Sequence, residues 1–135
     1  MHSTNYYNTL IEIAEDCPVD AGQEPPVKAK KSVANLQYEW LADYPYEFTS
    51  DDVLFGVVAQ RKGYGDDELE EQRHIYFSKG QPCFRASPLT KRYGWGVHAN
   101  AEGKIAIFGA DSAEYAALVA DDTVTKKKAM RSKRK

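Results

Sequence analysis

Residues Phe77 to Phe108, FSKGQPCFRASPLTKRYGWGVHANAEGKIAIF, decide the fold. Tyr93–Ala99 and Lys104–Phe108 alternate apolar and small or polar residues, the period of a half-buried strand. Asn100-Ala-Glu-Gly103 joins them, and a glycine closing such a loop marks a hairpin with one residue at positive φ. Alternation sends Trp95 and Val97 to one face together with Ile105 and Ile107. Gly94, Gly96 and His98 go to the other. Upstream, Cys83–Ser87 reads as a further strand ended by Pro88. Its parity puts Phe84 and Ala86 with Trp95, and Cys83, Arg85 and Ser87 with His98. His74–Ser78 reads as another strand before the Gly80-Gln-Pro82 turn.

Outward from this centre, Thr9–Glu15 reads as a first strand. Asp20–Lys31 reads as a mobile polar loop, because Pro25-Pro26 resists helix. Ser32 caps a helix reaching about Ala42, with Val33, Leu36, Trp40 and Leu41 on one stripe. Thr49 or Ser50 starts a second helix whose first turn carries Asp51 and Asp52, and Gly63 ends it. Asp66–Arg73 adds acidic helical turns that read as a solvated face. Asp111-Ser-Ala-Glu114 has capping-box spacing and opens a helix to about Ala120. From Val124 a last edge strand is expected before the lysines take over.

These elements predict an α+β domain over residues 1–125. Its sheet is mostly antiparallel, with four to six strands, and two or three helices pack on one face. Residues 126–135 form a basic C-terminal segment with seven Lys and Arg and no acid. The first 125 residues hold 11 Lys and Arg against 20 Asp and Glu, a balance of −9. A length of 135 residues suits one core. No leader pattern and no apolar run long enough to span a bilayer is present, so the cytosol is the expected compartment and no membrane partner is expected. Cys17 and Cys83 form no metal or redox spacing and read as free thiols in a reducing compartment.

No nucleophile elbow, phosphate loop or dinucleotide fingerprint occurs. The three histidines have no metal-ligand spacing, and neither metal nor cofactor is expected. Two surfaces remain. The strand face bared by Gly94 and Gly96 would hold a small anion, with Arg85 as a bidentate fork, His98 as a switchable donor, and Lys91 and Arg92 in the adjoining turn. Alternatively a helix covers the glycines and Arg85 pairs with an acid. The second surface is Lys126, Lys127, Lys128, Arg131, Lys133 and Arg134, which suit the phosphate backbone of a nucleic acid. A third and weaker reading pairs Cys83 with His98 as nucleophile and base.

NYYNTLIEIAEDCP, YPYEFTSDDVLF, FSKGQPCFRASPLTKRYGWGVH and KAMRSKR resemble segments of an uncharacterised bacterial family of small single-domain proteins. The resemblance spans the chain except residues 20–31. It implies no activity, cofactor or site residue, but it does imply that KAMRSKR belongs to the domain. A fainter likeness, of fold only, is to YjbR-like domains. The expected function is accordingly an anion-binding module, with nucleic-acid association as the alternative and a Cys- or His-dependent enzyme third.

Overall fold

A computed structural model describes residues 2–133. Four strands form one sheet in the order β3-β2-β1-β4. They are β1 (Thr9–Glu12), β2 (Trp95–Ala99), β3 (Ile105–Gly109) and β4 (Thr125–Lys128). β1 pairs antiparallel with β2, and β2 with β3, whereas β4 runs parallel to β1. The helices are α1 (Val33–Asp43), α2 (Ser50–Lys62), α3 (Leu69–Tyr76), α4 (Pro88–Lys91) and α5 (Ala113–Ala120). The α+β class and the strand number are those expected, and the described residues hold five α-helices.

Caps define the helix starts. The Ser32 hydroxyl accepts from the Asn35 N–H, and the Asn35 side chain accepts from the Ser32 N–H, at 3.2 and 2.9 Å. Thr49 and Asp52 form the same reciprocal pair for α2. Gly63 ends α2 at φ 71°, and Gly103 closes the β2–β3 hairpin at φ 82°. α5 is capped by Ser112, one residue beyond the expected Asp111. Asp111 instead accepts from the Gly22 N–H at 3.2 Å.

Two expected strands are helical. Leu69–Tyr76 is one helix, so His74–Tyr76 continues the acidic turns. Its apolar side meets α2, where Leu69, Tyr76 and Phe77 pack on Phe55 and Ala59. Phe84–Ala86 is a single 3₁₀ turn. Ser87 then caps α4, accepting from the Leu89 N–H at 3.2 Å with Pro88 as the first helical residue. Ser-Pro here starts a helix; it does not stop a strand.

Register aligns Ile11, Val97 and Ile107 across three strands, and Ala99 with Ile105. This row faces Leu36, Leu41, Val53, Leu54 and Val57 of α1 and α2, together with Phe84 and Leu89. The opposite face presents Leu10, Gly96, His98, Ala106 and Phe108, and α5 lies there through Tyr115. Both faces are therefore covered. The loop before α1 is held down: the Trp95 indole N–H donates to the Gln23 carbonyl at 2.8 Å, and the Asn35 amide to Pro25 at 3.0 Å. At the start of α2, Asp51, 2% exposed, accepts from the Thr4 N–H, Thr4 hydroxyl and Ser3 hydroxyl at 2.7 to 2.8 Å, which fastens the N-terminal segment. Among the described residues no helix is long and apolar enough to cross a membrane.

Candidate functional site

The glycine face is occupied by protein. A Cβ on Gly96 would stand 2.4 Å from the Tyr115 ring, whose hydroxyl accepts from the Ile13 N–H at 3.1 Å. A Cβ on Gly94, at φ 76°, would stand 2.2 Å from the Ala21 carbonyl oxygen. The two glycines admit a tyrosine and a loop, and no ligand space remains over them.

The residues expected to surround them are dispersed. Because residues 84–86 form a 3₁₀ turn, strand parity does not apply to Arg85. Its Nε donates to the Lys128 carbonyl at 2.7 Å and its own carbonyl accepts from the Met130 N–H at 2.7 Å. Arg85 thus clamps the outer edge of β4 and has no acid partner within ion-pair distance among the described residues. His98 lies on the α5 side, its Nδ1 2.8 Å from the Tyr46 hydroxyl. Burial lowers its pKa against the opposing pull of Asp121. Tyr46 sits at φ 58°, an uncommon conformation for a bulky residue, held by its N–H on the Ile105 carbonyl at 2.9 Å. Cys83 is on the α1–α2 side with the Tyr6 hydroxyl 3.6 Å from its sulfur, so no Cys83–His98 pair forms. Cys17 and Cys83 are both free.

The basic segment begins inside the sheet. Lys126 donates through Nζ to the Asp121 and Val124 carbonyls at 2.6 Å. Lys128 pairs with Glu12 at 3.1 Å and Arg131 with Glu15 at 3.0 Å. The Lys133 N–H donates to Asp16 at 2.9 Å, and such main-chain donors hold the Asp16 carboxyl below its usual range. Lys127 is exposed, and Arg134 lies outside the described residues. Lysines on an edge strand also discourage edge-to-edge pairing of sheets.

A different concavity stands out. Between α1, α2 and the Pro82–Pro88 segment lies an open cleft of about 700 Å³, within the usual size of ligand sites. Its floor is Val33, Leu36, Leu54, Val57 and Val58, with Tyr76 and Cys83 at one side. Lys30, Lys31, Arg61 and Lys62 form the rim, and no described carboxylate lines it. The Ser87 hydroxyl donates to Gln37 at 2.6 Å within the wall. Lys31 pairs with Glu39 at 2.8 Å, while Lys30, Arg61 and Lys62 have no acid partner among the described residues. A smaller cleft of about 330 Å³ adjoins it and carries Lys91 and Arg92. Sequence reasoning passed over Lys30–Lys31 as loop and Arg61–Lys62 as part of the second helix. No local signal marked them: Lys30–Lys31 sit in a polar loop, and Arg61–Lys62 precede the acidic run Asp66–Glu71.

Among the described residues no group of three or more His, Cys, Asp or Glu is placed to hold a metal. No curated protein and no solved structure gives a significant match to this chain. Residues 1–135 match the profile of a family described as "Family of unknown function (DUF6157)", and the chain belongs to that family.

Proposed function

We propose that this protein is a cytosolic bacterial binding module that holds a small amphipathic anion in the α1–α2 cleft. The reading rests on one observation. A body whose formal balance is −9 lines a concave apolar floor with four cations and no described carboxylate, and only Lys31 of the four is paired with an acid. Cations grouped over a low-dielectric wall concentrate positive potential and attract anions. The floor favours an aliphatic or aromatic body, and the rim a carboxylate or phosphate head. Two unpaired thiols agree with a reducing compartment. Nucleic-acid binding by the C-terminal segment draws less support, since Lys126, Lys128 and Arg131 are engaged with the body.

The test is thermal unfolding with decanoate, decyl phosphate and decanol, each below its micelle-forming concentration. Both anions should raise Tm by about 5–10 °C near saturation, and decanol should not. Arg61→Glu with Lys62→Glu should abolish the shift while leaving the unliganded Tm within a few degrees. No shift with either anion in the wild type, or an equal shift with decanol, would overturn the proposal.

A further inference from the structure

The two clefts are one depression with a saddle. Val33, Ala86 and Pro88 line both. Lys91 and Arg92 stand beyond the saddle, and the larger cleft has its own cations. Lys91 ends α4 and Arg92 is its C-cap, so α4 places both beside the Ser32 cap of α1. Neither forms an ion pair among the described residues, and no described carboxylate lines either cleft. Altogether six of the 11 Lys and Arg in residues 1–125 surround this depression, and only Lys31 is paired with an acid.

Cations in both clefts, joined over the shared apolar residues Val33, Ala86 and Pro88, can recognise more than one head group. We infer that the ligand is an elongated dianion: apolar in the middle, with one anionic group at the Arg61–Lys62 end and another at Lys91–Arg92. This rests on the amphipathic-anion reading and adds the second anionic group. A ligand with a single head leaves Lys91 and Arg92 facing water. A ligand of the right length engages them at the cost of little further immobilisation, because the first contact has already anchored it. Guanidinium and ammonium groups both suit carboxylate and phosphate, so the chemistry at either end is an oxyanion.

The experiment compares α,ω-dicarboxylates of eight to sixteen carbons with monocarboxylates of equal length, by titration calorimetry on the full chain. At one preferred length the diacid should bind about tenfold tighter than its monoacid, the gain from one charge-assisted contact. Lys91→Gln with Arg92→Gln should erase that advantage and weaken the monoacid much less than the diacid. Both residues are at the surface end of a short helix, and circular dichroism of the variant confirms its fold. If monoacids and diacids bind equally at every length, the dianion inference fails while the amphipathic-anion reading stands. An advantage that survives the double substitution also overturns the inference. If neither series binds, the underlying reading fails.

Discussion

Gly94 and Gly96 show how much a missing Cβ decides. At Gly96 the obstacle is a tyrosine ring 2.4 Å away, which can swing aside as a whole only by giving up its bond to the Ile13 N–H. At Gly94 the obstacle is main chain, and φ is 76°. Gly96→Ala should therefore lose about 1–3 kcal/mol, the usual cost of overpacking. Gly94→Ala should lose about 2–4 kcal/mol, because left-handed strain adds to the clash. Urea denaturation checks the order; an equal loss at both sites would contradict it. His98 gives a pH prediction. Burial lowers its folded pKa below the unfolded value, so the unfolded chain binds the extra proton first. The stability it confers is complete above about pH 6.5 and falls as pH drops through the folded pKa. Between pH 7.5 and 5.5 the wild type should lose more Tm than His98→Asn, whose side chain still reaches the Tyr46 hydroxyl.

Among the elements, α2 and β4 depend most on distant partners. Asp51 fastens the N-terminal segment with three hydrogen bonds in a buried setting. Asp51→Ala leaves the Thr4 N–H without its acceptor and should cost on the order of 3 kcal/mol, read by chemical denaturation. Nearby, burial pushes Asp52 up, but the Thr49 N–H and Arg73 outweigh it and hold its carboxyl below the usual range. That stability persists above about pH 3.9 and is lost as acid protonates the folded group. β4 brings Ala129, 4% exposed, into the core and is clamped by Arg85. A chain ending at Val124 should consequently lose its sharp thermal transition. Retention of that transition would show that the basic run is a detachable tail.

Across the whole molecule the charge asymmetry divides in two. At the C-terminus Lys128 and Arg131 return to Glu12 and Glu15, while around the clefts only Lys31 is paired with an acid among the described residues. Added salt should accordingly weaken anion binding far more than it weakens the fold, since exposed pairs contribute little to stability. Calorimetric titration with decyl phosphate at low and high salt measures the first effect, and Tm without ligand measures the second.

Signals that act within one turn or one hairpin were legible in the chain: the Ser32 and Thr49 caps, the Gly63 stop, the Gly103 hairpin and the parity of Trp95 and Val97. Each depends on neighbours a few residues away. His74–Ser78 and Cys83–Ser87 were not legible, because a short apolar run fits strand or helix equally until its packing partner is known. Here α2 claimed one, and the Ser87 cap with Phe84 in the core claimed the other. The clefts belong wholly to the tertiary structure. Lys30–Lys31, Arg61–Lys62 and Lys91–Arg92 are each about thirty residues apart in the chain. Only the packing of α1, α2 and α4 makes them neighbours, since charge placed far along a chain becomes a shared field once folding closes the distance.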